Sequence, residues 1–303
     1  MRVVAFLIAI LAAGPALSDC VAQRLFVLNS FEGNGWYVEE EGALRDDDGT
    51  CTIQDLKLVE DSLAFEIASF IWRLEGLDNL ATGEGVVSLT SRLDDLRMVP
   101  QVDDPWVGYM LRQQNLRNLI DATLFASWDV GAGEVELGTL AIEFPGDNAI
   151  ELDLRVQGIT PALFAGTIGD LSAMQVEYIA SKVTNHGFAD GLILGTLIGR
   201  MASVPGSPDT VIEGTKRSVR DFVETLPTTI FDTDSKESLL LLIEEAPVPW
   251  GSLFLSLTAD PPIPVSRFVA SGLAPNPFEA DTLEKTFAGA EVTVIYTPAA
   301  EPK

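Results

Sequence analysis

The chain has one histidine, His186, two cysteines, Cys20 and Cys51, and six lysines among 303 residues. So few nitrogen and sulfur ligands cannot build a zinc site of the finger type, and no Cys-x-x-Cys redox motif is present. A thiol nucleophile at Cys51 would need a base beside it, and the single histidine lies far away in sequence. There is no Gly-x-Ser-x-Gly elbow and no Walker sequence. Gly131-Ala132-Gly133 precedes an alternating strand pattern where a dinucleotide loop requires a helix, so it reads as a hairpin turn. No cofactor is called for, and neither a histidine nor a cysteine is expected to be catalytic.

Basic residues are the second shortage: 19 face 45 acidic ones, a net charge of −26. A chain this acidic repels phosphate backbones, which excludes DNA and RNA as partners. Hydrophobic residues make up 47 % of the chain, enough to bury a core, so the charge does not imply disorder. The length suits one large domain or two ordinary ones. The acid excess reads first as a solvated surface that keeps the protein soluble, and second as attraction for cations or basic partners.

What is present begins with the first eighteen residues. Arg2 supplies a positive n-region, Val3 to Ala13 is an unbroken apolar run, and Gly14-Pro15 precede Ala16-Leu17-Ser18 with small residues at −3 and −1. That is the pattern of a signal peptide cleaved after Ser18, because a spanning helix needs about 20 apolar residues. Leu17-Ser18-Asp19-Cys20 departs from a lipoprotein box at Asp19, where a small residue belongs. No later segment is long and apolar enough to anchor the chain, so an integral membrane protein is not expected. The predicted location is the periplasm or the exterior. Loss of Arg2 leaves 18 basic against 45 acidic residues, or −27. In an oxidising compartment Cys20 and Cys51 are expected to form one disulfide.

From Cys51 to about Val183 the pattern is mostly of period two. Ile150, Leu152, Leu154 and Val156 alternate with Glu151, Asp153, Arg155 and Gln157, which predicts a strand with one buried and one wet face. Leu140 to Phe144 alternates likewise, and Pro145-Gly146-Asp147-Asn148 joins the two as a hairpin turn. Further strands are expected at Leu63, Phe65, Ile67 and Ile71; at Val87, Leu89 and Leu93; at Leu124, Ala126, Trp128 and Val130; and at Met174, Val176 and Tyr178. One helix is predicted between them, Pro105 to Ile120, with Trp106, Tyr109, Met110, Leu116 and Ile120 on one apolar stripe.

Beyond Gly187 the character changes, and twelve of the seventeen prolines fall after residue 200. Ser207-Pro208-Asp209 reads as a helix start, with Ile212, Val219, Phe222, Val223 and Leu226 on one face and Pro227 as the stop. Asp234 and Glu237 have the spacing of a capping box for a helix through Ile243. Strands return at Leu253, Leu255 and Leu257 and at Val292, Val294 and Tyr296, with a helical stretch from Phe278 to Phe287 between them. The expected class is α+β, with a mainly antiparallel, curved sheet and helices concentrated in the C-terminal part. The expected organisation is a signal peptide over 1–18, a β-rich part over 19–186 and a helix-rich part over 187–303. The two strands of the last part could complete the same domain.

Three motifs invite functional readings. Gly187, Gly191, Gly195 and Gly199 would form one bare ridge on a helix, suited to close packing on the sheet; a membrane-inserting or oligomerising helix is the alternative. Asp46-Asp47-Asp48-Gly49-Thr50 contains the Asp-x-Asp-Gly-Thr of haloacid-dehalogenase-type phosphotransferases, but Glu39 to Arg45 cannot be the buried strand those enzymes require. The same three aspartates are calcium candidates by composition, although EF-hand spacing fails and an exposed acidic turn is the simpler reading. Lys216, Arg217 and Arg220 form the one dense basic cluster and are expected to pair with nearby carboxylates.

The long amphipathic strands, such as Ala149 to Gln157, followed by the glycine-punctuated run from Gly187 to Gly199, resemble exported β-rich envelope proteins of Gram-negative bacteria, including the loosely AsmA-like group. The resemblance covers about half of the chain. It implies an envelope role in contact with lipid, and no functional residues carry over. Three function classes follow: a non-catalytic envelope protein binding a partner protein or an apolar ligand such as lipid, a hydrolase working through paired carboxylates, or a purely structural or chaperone-like envelope factor.

Overall fold

A computed structural model describes residues 19–32, 35–60, 63–102, 104–116, 118–160, 173–187, 207–272 and 279–299. The expected signal peptide, residues 1–18, lies outside the described residues. The chain divides into two compact units, residues 1–145 with 155–171 and residues 146–154 with 172–303.

The first unit holds α1 (Cys20–Glu32), β1 (Tyr37–Glu40), β2 (Leu44–Asp47), β3 (Thr50–Glu60), β4 (Leu63–Glu75), α2 (Asp78–Thr82), β5 (Val86–Pro100), α3 (Pro105–Asn115), β6 (Ile120–Asp129) and β7 (Glu134–Phe144). Its strands pair antiparallel in the order β1-β3-β4-β5-β6-β7, with β2 also on β3. The turns follow from local chemistry. Asp48 and Gly49 both have positive φ, 52° and 80°, as the two-residue turn between β2 and β3 demands. At the β6–β7 turn Gly133 has φ 69°, its N–H donates to the Asp129 carbonyl at 2.8 Å, and the Asp129 carboxylate accepts the Ala132 N–H at 2.9 Å. Gly131-Ala132-Gly133 is therefore the hairpin turn that the sequence predicts.

Alternation places Phe70, Trp72 and Leu74 of β4, Val87 and Leu89 of β5, and Ala126 and Trp128 of β6 in the core. The alternation is not continuous. On β3 the buried positions are Cys51 and Ile53, then Leu56, Leu58 and Val59, so the inward face changes parity at Asp55 and Val59 at the strand's end is buried as well. Asp55 has φ 54°, a left-handed residue in mid-strand, and Asp95 on β5 repeats the feature with φ 55°. The pairs Gln54–Ser69 and Glu66–Arg97 frame the row, so Ala68 lies opposite Asp55 on one side and Asp95 on the other. Between Leu93 and Leu96 the β5–β6 register shifts, and the Asp95 N–H donates to the Asp121 carboxylate at 2.9 Å. These residues form a crease across three neighbouring strands. It explains why Phe65 and Ile71, expected to share a face with Ile67, are only half-buried while Ile67 is buried.

The second unit takes in β8 (Asn148–Gln157) as far as Leu154, then β9 (Gln175–Asn185), α4 (Pro208–Thr225), α5 (Thr233–Glu245), β10 (Gly251–Pro264), α6 (Val265–Gly272), α7 (Ala280–Thr286) and β11 (Ala290–Pro298). Its strand order is β8-β9-β10-β11, with β9, β10 and β11 paired antiparallel. Before β8, Gly146 and Asp147 have φ 77° and 58°, matching the turn expected there. The strand itself differs from its alternating pattern: Val156 is buried, Leu152 and Leu154 are half-buried, and Ile150 is exposed. On β11 the expectation holds fully, with Val292, Val294 and Tyr296 all buried.

Helix α4 starts as expected: Ser207 is the N-cap, its hydroxyl accepts the Thr210 N–H at 3.3 Å, and Pro208 follows. For α5 the cap is Asp232, two residues before the expected Asp234, and its carboxylate accepts the Ser235 N–H at 2.7 Å. The shift lets the helix start where the chain leaves a one-pair bridge between Phe231 and Val292 of β11. The described chain is thus β-rich and mainly antiparallel. Its helices are shared between both units instead of gathering only in the C-terminal part.

Candidate functional site

Helix α3 leaves the sheet between β5 and β6. Asp104 caps it: its carboxylate accepts the N–H groups of Trp106 at 2.8 Å and Val107 at 3.1 Å, and Pro105 takes the first helical position. The helix ends at Asn115, because Ile120 is drawn into β6, where it is buried opposite Leu96. The apolar stripe therefore never closes on a core. Trp106 is 77 % exposed, Met110 56 % and Tyr109 52 %, and Val107 and Leu116 are also exposed. Gly108 is buried. Met98 at the end of β5 and Val102 just before the helix add to the exposed apolar surface. Scattered apolar side chains on a surface are ordinary; here Trp106, Val107, Tyr109, Met110 and Leu116 gather around one capped helix.

A second site sits at the crease. Asp55, Leu56, Lys57, Glu66, Ile67, Ala68, Asp95 and Arg97 line a cavity of about 300 Å³. Leu56 and Ile67 are buried, while three carboxylates and two cations supply the polar lining. Lys57 is held by Glu39 at 2.7 Å. The Arg97 Nε is buried without a hydrogen-bond partner among the described residues. The left-handed backbone at Asp55 and Asp95 brings these groups out of the strand alternation. Carboxylates in a cavity that also holds cations are side-chain types that general acid–base chemistry uses.

Neither Asp55 nor Asp95 stands out as a candidate in the sequence. The signal for the crease was the parity change from Ile53 to Leu56 around an aspartate. Cys20 and Cys51 are bonded, with their Cα atoms 5.4 Å apart. Asp46, Asp47 and Asp48 are all exposed at the β2–β3 turn, where the Asp46 carboxylate accepts the Gly49 N–H at 3.1 Å. No group of three or more His, Cys, Asp or Glu residues is placed to hold a metal ion among the described residues. Of the glycine ridge, Gly191, Gly195 and Gly199 lie outside the described residues. Gly187 sits in a bend with φ 97°, and a Cβ there would meet the Trp250 ring at 3.0 Å. His186 is exposed, with its ring 6.4 Å from that of Trp250. In the basic cluster Arg220 pairs with the Glu244 carboxylate, and the Lys216 ammonium donates to the Glu244 carbonyl at 2.8 Å. No described helix is long and apolar enough to cross a membrane. No protein-family model matches the chain, and a search of curated proteins finds no match.

Proposed function

We propose that the chain is an exported, non-catalytic envelope protein that binds a partner protein or an apolar ligand, lipid included, through the apolar surface of α3. The observation that carries this reading is the exposure of Trp106, Tyr109 and Met110 on a helix whose N-terminus is fully capped. Burying a large apolar side chain stabilises by about 1.5–3 kcal/mol, a gain that these residues can realise only against something outside the described fold. Export to the periplasm is supported by the composition of residues 1–18, and the Cys20–Cys51 bridge suits an oxidising compartment. Native mass spectrometry of protein purified without detergent tests the binding. Wild type should carry a bound lipid or protein that the Trp106→Ser/Met110→Ser variant loses; an identical, unliganded spectrum for both would refute the reading.

The cavity at the crease favours one other reading, a hydrolase working through paired carboxylates. Asp55, Glu66 and Asp95 supply the acid and base that such chemistry needs. Under it, Asp95→Asn would abolish a hydrolytic turnover found by substrate screening while leaving the melting temperature unchanged.

A further inference from the structure

We propose that the cavity at the crease binds a small molecule with one carboxylate and two amines, of the class of a free basic amino acid such as lysine. The site lies on β3, β4 and β5 and does not depend on the reading of α3.

Its place in the sheet is the first observation. The β3–β4 and β4–β5 registers run without a shift, and Cys51–Trp72 and Ile53–Phe70 are buried pairs. Two residues further along each strand comes the row Asp55–Ala68–Asp95, then Lys57–Glu66–Arg97, and then the buried apolar row Val59–Ala64–Val99. All six residues of the two middle rows line the cavity. Five charged side chains thus interrupt an apolar face, where charge is costly unless it is paired.

The second observation is that pairing is incomplete. Lys57 is held by Glu39 at 2.7 Å. Asp55, Glu66, Asp95 and Arg97 make no side-chain hydrogen bond or ion pair among the described residues, and the Arg97 Nε is buried without an acceptor. Three unpaired carboxylates therefore face one unpaired guanidinium around a space of about 300 Å³, the lower end of the range for small-molecule sites. A ligand that answers both signs carries a carboxylate for Arg97 and more than one amine for the acids. A plain diamine leaves Arg97 unanswered, and a dicarboxylate leaves the three acids so.

Spacing assigns the groups. Glu66 and Arg97 lie directly opposite each other, so an α-ammonium and an α-carboxylate on one carbon suit that row. The short side chain of Ala68 leaves a notch between Asp55 and Asp95, whose strands lie two spacings apart, about 9–10 Å. An ammonium seated there has a carboxylate on each side. The two rows are about 6–7 Å apart, and an extended four-carbon stem covers about 6 Å at ordinary bond lengths.

Isothermal titration calorimetry of the full chain with L-lysine tests this, against cadaverine, which lacks the carboxylate, and L-norleucine, which lacks the distal amine. Wild type should bind lysine saturably and each analogue at least about tenfold more weakly, as loss of one charged contact implies. Nα-acetyl-L-lysine separates a free amino acid from the C-terminal lysine of a peptide, and it too should bind at least about tenfold more weakly. Asp55→Asn/Asp95→Asn should weaken lysine by about tenfold or more and leave norleucine unchanged. Asparagine tolerates the left-handed backbone of both positions, so the fold should survive. Arg97→Gln should weaken lysine but not cadaverine. Glu66→Gln, expected to weaken lysine as well, replaces that variant should it lose its fold. Lysine has no bond that a hydrolase of paired carboxylates would cleave, so the outcome is independent of that reading. No saturable lysine binding, equal binding of lysine and any of the three analogues, or lysine binding that no variant alters would overturn the assignment.

Discussion

The indole N–H of Trp72 donates to the side-chain carbonyl of Gln23 at 3.0 Å, and both residues are buried. This bond links α1 to β4 beside the Cys20–Cys51 bridge, whose Cys51 sulfur lies 3.5 Å from the same Gln23 oxygen. The helix is thereby held to the sheet by one covalent and one polar contact. Replacing Gln23 by Leu keeps the volume but leaves the indole donor without that acceptor. The expected cost is about 1–3 kcal/mol, read by urea denaturation. A variant as stable as wild type would show that water or another group replaces the bond.

The bridge closes a loop between residues 31 positions apart. In the chain-entropy model its removal in Cys20→Ala/Cys51→Ala costs about 3–4 kcal/mol. Alkylation of denatured, unreduced wild type should find no free thiol. Two reactive thiols would contradict the bonded pair.

Ser235 works in the second unit as a clasp on strand β11. Its hydroxyl accepts the Val294 N–H at 2.9 Å and lies 3.4 Å from the Val292 carbonyl, while the Val292 N–H reaches the Ile230 carbonyl at 2.9 Å. Backbone groups of β11 that no neighbouring strand takes up are satisfied in this way, as edge strands require. Ser235→Ala should cost about 1–3 kcal/mol and raise amide exchange at Val294 ahead of the rest of β11. Uniform exchange along β11 would count against the clasp.

Asp232 caps the same helix. The Ser235 hydroxyl and then the Ser235 N–H hold its carboxyl below the usual value of 3.8. A depressed carboxyl stabilises the fold above that usual value, and the contribution fades as pH falls through the depressed one. Asp232→Asn keeps a capping side chain but does not titrate. Thermal melts at descending pH should therefore show the wild-type advantage shrinking in acid. A gap that stays constant with pH would contradict the assignment.

Protein recovered from the periplasm should begin at Asp19, since Ala16 and Ser18 supply the small residues that a signal peptidase reads. N-terminal sequencing decides this. Periplasmic material that retains Met1 would contradict it.

How far the fold can be read from the residues depends on whether neighbours compete for the same signal. Val292, Val294 and Tyr296 alternate without interruption, and all three are buried. Ser207-Pro208 and Leu226-Pro227 bracket α4, because a hydroxyl cap and a missing N–H act locally. Asp55 and Asp95 behave differently. An aspartate can enter the left-handed region within a strand, and only the parity change around it betrays the crease. The two caps at Asp232 and Asp234 differ by which one meets the bridge between Phe231 and Val292, a tertiary fact. For α3, helical periodicity identifies an apolar surface correctly but carries no information about what lies opposite. The core and a docking partner leave the same pattern of Trp106, Tyr109, Met110 and Leu116. Only the three-dimensional placement shows them facing outward.

This outward surface is expected to be covered when the protein works. The most direct test is a photo-crosslinking amino acid placed at position 106 and, as a control, at exposed position 48, with irradiation in intact cells. A discrete lipid or protein adduct is expected from position 106 and none from position 48. Adducts of equal yield and identity from both positions, or none from 106, would contradict it.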